Sequence, residues 1–254
     1  METSDTVPQV HREPQRVRHR EADRDGVLKL SSWFDYLQEA AANHAALLGV
    51  GLGALEQRGY LWVLSRIRLE IDRSPSIGET LEVVTYPNGP RRLFAARQFS
   101  VRDAAGREIA RASSRWLLLS RRNLRPVRLS ELGVGLPLNA DLPDYFELEE
   151  KMPEPGLSGD FSVPIRHSME DVNGHLNNAE YAGLVQDYPV AKGWGSPRFR
   201  RVELQYLAAV RAPGFLTLGG SCSGKTLLVE GRTPDGRPSF LAAAELTEPL
   251  LATP

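Results

Sequence analysis

The feature that most constrains the fold of this chain is an internal repeat. Asp23-Arg24-Asp25-Gly26-Val27-Leu28 aligns with Asp171-Val172-Asn173-Gly174-His175-Leu176 at an offset of 148. The same offset pairs Arg18 with Arg166, Trp33 with Tyr181 and Gln38 with Gln186. The order of the surrounding elements also repeats, which carries more weight than scattered identities. In each copy a short polar loop leads into a helix. After the first loop, Phe34, Leu37, Ala41, Ala45 and Leu48 recur at steps of three and four, giving one apolar face. Ser31 and Ser32 are its expected N-caps, and Gly49 and Gly51 its end. In the second copy Asn177 and Glu180 have capping-box spacing. Tyr181, Leu184, Val185 and Tyr188 form the stripe there, and Pro189 is expected to stop the helix.

After each helix the period changes from 3.6 to 2. Ile67, Leu69 and Ile71 alternate with Arg66, Arg68 and Glu70, as in a half-buried strand. Ala112, Ser114, Trp116 and Leu118 form a later alternating set, preceded by a turn at Asp103 to Gly106. The second copy repeats this with Val202, Leu204 and Tyr206, then a Pro234-Asp235-Gly236 turn before Phe240. One helix cannot cover both faces of a sheet, so the economical packing wraps the sheet around it. The expected fold is therefore α+β: two tandem units, each a long helix wrapped by an antiparallel β-sheet. Residues 1–12 read as a disordered tail, 13–130 as the first unit, 131–160 as a Pro-, Gly- and Asp-rich linker, and 161–254 as the second unit.

Composition narrows the function. A net charge of −1 gives no global field to recruit nucleic acid or an anionic membrane. The single cysteine, Cys222, excludes an intramolecular disulfide framework and a cysteine-rich zinc site. His11, His19 and His167 lack metal-ligand spacing, so no metal or other cofactor is expected. The N-terminal stretch has no apolar signal-like core, and no apolar run approaches the ~18 residues of a membrane span, so a cytoplasmic location is expected. Ser113-Ser114 lacks the glycines of a nucleophile elbow, and Gly51-Leu52-Gly53 lacks the rest of a dinucleotide loop.

The second loop carries the chemistry. Imidazole titrates near neutral pH, so His175 can take a proton from water. Asn173 can donate an amide hydrogen bond to a carbonyl or hold the water. Asp171 can orient either partner or itself act as base. Gly174 permits a tight turn, and the positive end of the following helix favours developing negative charge. Taken singly, Asp and Asn before a helix are ordinarily caps, and a loop His is ordinarily a surface residue. Asn177 and Asn178 read as capping residues, and His44, beside the first apolar stripe, as a packed core histidine.

The succession DRDGVLKLSSWFDYLQEAA, GYLWVLSRIRLEI, GETLEV, ARASSRWLLL and MEDVNGHLNNAEYAG resembles the acyl-acyl carrier protein (acyl-ACP) thioesterases, built from two fused hotdog folds. The resemblance covers nearly the whole chain beyond the tail, and its most specific piece runs from Asp171 to Tyr181. It implies hydrolysis of fatty acyl-ACP to free fatty acid, ending chain elongation, with Asp171, Asn173 and His175 catalytic. The first-half counterparts Asp23, Asp25 and Val27 would be an inactive copy that lines the acyl pocket. The implied partner is ACP with its phosphopantetheine-linked acyl chain. Arginines at 91–92, 121–122, 125, 128, 198 and 200–201 would dock it or form a solvated face, and homodimerisation stays open. Trp62, Leu64, Trp116 and Leu118 fit either an acyl tunnel or the core. One departure stands out. By the register of Tyr206, the family's acidic position falls at Ala209, and Glu203 lies ~20 Å away along the strand. An acyl-CoA thioesterase and a weakly active acyl-binding protein on the same scaffold are the competing readings.

Overall fold

Each switch from helical to alternating periodicity becomes a helix laid across a sheet, twice over. The structure, a computed structural model, describes residues 9–149 and 151–251. The first half contains β1 (His11–Arg16), α1 (Leu30–Leu47), α2 (Leu52–Gln57), β2 (Tyr60–Ile71), β3 (Thr80–Arg91), β4 (Phe94–Asp103) and β5 (Glu108–Ser120). The second contains β6 (Phe161–Ile165), α3 (Asn178–Ala191), β7 (Phe199–Tyr206), β8 (Gly214–Ser223), β9 (Thr226–Arg232) and β10 (Pro238–Leu246). All ten strands join one antiparallel sheet in the order β1-β3-β4-β5-β2-β7-β10-β9-β8-β6. The second half of that order mirrors the first. The seam is β2 against β7, with Arg66 opposite Gln205 and Glu70 opposite Arg201. This is the tandem hotdog arrangement.

The two long helices share the core side of the sheet and run in opposite directions. The largest side chains sealed between them and the strands are Trp33, Phe99, Tyr188 and Phe240, each at most 1% exposed. Burial of each such side chain contributes roughly 1.5–3 kcal/mol. The opposite face is covered by the segment joining the halves, which has no helix or strand between Leu132 and Phe161 among the described residues. There Phe146 N–H donates to Ser113 Oγ (3.0 Å), Arg66 Nη1 to the Glu149 carbonyl (2.8 Å), and Met152 N–H to Gln205 Oε1 (2.6 Å). Arg68 lies over the Phe146 ring, 4.4 Å from its centroid. The charged face of β2 is therefore covered rather than solvated, and Arg66 is only 7% exposed.

Several local expectations are corrected. Residues 1–8 of the expected tail lie outside the described residues, but His11 and Arg12 open β1, paired with Thr85 and Val84. The inward residues of β1 are polar, so hydropathy hides the strand: His11 stacks on His44 and Glu13 accepts from Asn43. His44 is fully buried, as expected, and its Nδ1 lies 3.1 Å from Arg97 Nη1. Burial pushes that guanidinium down to about 10. Ser31 and Ser32 do not cap α1; they lie inside it, and Gln186 Oε1 from α3 accepts the Leu30 N–H (2.8 Å). Pro189 does not stop α3, which continues to Ala191.

Candidate active site

The second loop is organised by Asp171. Its Oδ1 accepts the N–H groups of Asn173 (2.8 Å) and His175 (3.2 Å), and its Oδ2 accepts Asn173 Nδ2 (3.3 Å). Gly174 N–H closes the turn onto the Asp171 carbonyl (3.0 Å) at φ +68, a conformation that favours glycine. The Asp171 carboxylate thus faces its own loop. It brings Asn173 and His175 together rather than aligning with the imidazole.

The loop is tied down on both sides. Leu176 N–H donates to the Val210 carbonyl (2.8 Å), and Ala212 N–H to Glu170 Oε1 (2.8 Å). Asn177 caps α3 by accepting the Ala179 N–H (2.9 Å). The expected capping box stays half-formed: Asn177 N–H goes to the Met169 carbonyl, and Glu180 lines a cleft. Asn178 is the first residue of the helix, not its cap. Its amide donates to Gln38 Oε1 on α1 (3.2 Å), and Tyr206 OH donates to its carbonyl (3.1 Å). Burial, reinforced by neighbouring Tyr181, pushes the Tyr206 phenol well above its ordinary value, so it stays a neutral donor.

His175 is half-buried, and its Nε2 lies 3.0 Å from Arg211 Nη2. Guanidinium only donates, so Nε2 accepts and the ring is neutral, with its proton on Nδ1. Burial and then the Arg211 charge hold the imidazole below its usual range, against opposing pulls from Asp171 and Glu170. The sequence reading missed Arg211 and Glu170. No sequence signal marks Arg211, since the offset of 148 would carry Pro75 to Ser223; in the structure Leu176 N–H donates to the Val210 carbonyl as Leu28 N–H does to that of Pro75. Residues flanking position 210 therefore belong to the site.

Other expected groups fall elsewhere. Glu203 is held by Arg66 Nε (2.7 Å), and Ala209 is exposed with no carboxylate of its own. A cleft of about 210 Å³ beside α3 is lined by Arg166, Met169, Glu180 and Asp187 among others. A cavity of about 20 Å³ lies between Trp33, Gln186 and Arg198. Asp171, Asn173 and His175 line neither, and nor do Trp62, Leu64, Trp116 or Leu118. Leu64 and Trp116 belong to the main core, Leu118 and Trp62 to a smaller cluster around Val50 and Leu55. Of the expected docking arginines, Arg91 pairs with Asp144 and Arg198 with Asp23 and Asp25. No helix among the described residues is long and apolar enough to cross a membrane.

Comparison with known proteins bears on the fold that carries this loop. Residues 8–132 match the family model described as the acyl-ACP thioesterase N-terminal domain. The chain is 27% identical over 204 residues to the chloroplastic palmitoyl-acyl carrier protein thioesterase of Arabidopsis thaliana, covering 71% of this chain and 48% of that protein. It is 28% identical over 187 residues to the chloroplastic dodecanoyl-[acyl-carrier-protein] hydrolase of Umbellularia californica, covering 66% and 48%. The chain spans about half the length of the curated relatives it matches. Among solved structures, an acyl-ACP thioesterase from Bacteroides thetaiotaomicron superposes with a TM-score of 0.85 at 24% identity, over 94% of this chain and 98% of that one. The 12:0-ACP thioesterase of Umbellularia californica superposes with a TM-score of 0.77 at 22% identity, over 96% of each chain. These likenesses show the double-hotdog fold, and the first half of the chain is similar to the N-terminal domain of the acyl-ACP thioesterases.

Proposed function

We propose that this chain hydrolyses the thioester of fatty acyl-ACP, releasing free fatty acid, with Asp171, Asn173 and His175 as its working residues. The observation that carries the reading is a neutral, half-buried imidazole held beside Asn173 by one carboxylate, at the positive end of α3. The nitrogen free of its proton, Nε2, takes a proton from water as the water oxygen bonds to the thioester carbon. The second N–H of the Asn173 amide faces the negative charge that develops on the carbonyl oxygen, and the positive end of α3 favours that charge. When the carbon–sulfur bond breaks, the imidazolium returns its proton to the departing thiolate. Asp171 keeps the loop in shape and offsets the positive charge of the imidazolium.

The test is a steady-state assay of purified protein with acyl-ACP and acyl-CoA of matched chain length. Faster turnover of the ACP ester supports the proposal, and a strong preference for the CoA ester favours the CoA hydrolase. The exposed Ala209 favours a second reading, acyl binding with little turnover. That reading gains if acyl chains bind without hydrolysis and Ala209→Glu brings activity on.

A further inference from the structure

The guanidinium against His175 poses a chemical conflict. Nε2 cannot accept a proton from water while Arg211 donates into the same lone pair, so the contact must open before catalysis. Arg211 is suited to move. It is exposed, it makes no ion pair among the described residues, and its hydrogen bond is to His175. Its backbone, by contrast, is fixed, because the next residue's N–H is held by Glu170. Glu170 in turn accepts from His167 Nδ1 (2.9 Å) when that ring carries the proton there. The charged groups acting on His175 are Arg211 from the segment after β7, and Asp171 and Glu170 from its own loop. Arg211 is the one cation of this set. The Asn173 amide gives one of its two N–H groups to Asp171, which leaves a single side-chain donor for an oxyanion that accepts more than one.

We infer that Arg211 is a catalytic residue: its guanidinium leaves Nε2 when substrate binds and takes the thioester carbonyl oxygen, stabilising the oxyanion. A group that rests 3.0 Å from the base is within a short swing of any carbonyl attacked by water on that base. In the reaction, water's oxygen bonds to the carbonyl carbon and its proton passes to Nε2. The carbonyl π pair moves onto the oxygen, facing Arg211. Collapse expels the thiolate, which takes the proton from Nε2. The product acid gives its remaining proton to solvent water, and the resulting carboxylate meets the same guanidinium, whose two parallel N–H groups suit it. This inference rests on the hydrolase reading, and its test separates the two.

Arg211→Gln should lower kcat about 10²-fold while changing KM little, because the contact forms only as charge develops, and Arg211→Lys should restore part of the rate. The acid limb of kcat/KM should move to higher pH in Arg211→Gln, since removing the cation lets the imidazole rise. A readout independent of turnover is imidazole ¹⁵N NMR of the full chain titrated with dodecanoate. In the wild type the carboxylate should draw Arg211 away and raise the His175 titration midpoint, and in Arg211→Gln it should leave the midpoint unmoved. Wild-type kcat in Arg211→Gln, or a dodecanoate response that is the same in both proteins, overturns the inference. If no thioester is hydrolysed while the dodecanoate response appears only in the wild type, the hydrolase reading fails and the carboxylate site at Arg211 stands.

Discussion

At the start of α1, Asp23 Oδ1 accepts the N–H groups of Asp25 and Val27; at the start of α3, Asp171 Oδ1 accepts those of Asn173 and His175. Both turns close at a glycine of positive φ, +78 at Gly26 and +68 at Gly174. The backbones are equivalent and the side chains are not. In the first loop Arg198 grips both Asp23 and Asp25, and the fifth position is aliphatic. In the second the third position is a neutral amide, the fifth an imidazole, and the neighbouring arginine faces a nitrogen rather than a carboxylate. A shared turn therefore makes a strut in one half and a candidate site in the other. Two side chains and the partner of one arginine account for the difference.

The largest expected effects test that contrast directly. His175→Ala and Asn173→Ala should each lower kcat on acyl-ACP about 10²-fold or more with the fold retained by circular dichroism. Their mirror changes, Val27→Ala and Asp25→Ala, should leave kcat near wild type in the same assay. Equal losses in both loops would break the contrast. Placing the base in the other loop sharpens it: Val27→His in a His175→Ala background should stay at the His175→Ala rate, because Arg198 still occupies both carboxylates. Arg198→Ala should cost about 1 kcal/mol in urea unfolding, a modest figure for a partly exposed pair, with little change in kcat. The smallest effects concern the cross-helix glutamines. Gln186→Ala removes the acceptor at the start of α1 and should cost about 1 kcal/mol, and Gln38→Ala less, since it meets only a side-chain amide.

Much of this was legible in the sequence because the repeat and the two periods are strong signals. Ile67, Leu69, Val202 and Leu204 lie in the core as their alternation requires. The loop residues Asp171, Asn173 and His175 do converge, since an Asp at the first position of such a turn collects the N–H groups two and four residues on. What escaped reading depends on partners distant in the chain. β1 has no apolar alternation to reveal it, because His11 and Glu13 are satisfied by His44 and Asn43 on α1. The cap of α1 comes from Gln186, 156 residues away, so no local pattern announces it. Pro189 remains helical because the loss of one N–H costs less than breaking a packed helix whose buried face includes Tyr188 and Pro189 itself. Arg211 joined the site only once Val210 was seen paired with Leu176.

The most direct test of the central claim is the pH dependence of kcat/KM on acyl-ACP, for the wild type and for His175→Gln. Burial and the Arg211 charge lower the imidazole's proton affinity, so the wild type should lose activity only as pH falls through a midpoint below the usual imidazole value. In His175→Gln that limb should vanish along with most of the rate. A His175→Gln enzyme with wild-type rates and the same acid limb would contradict the account.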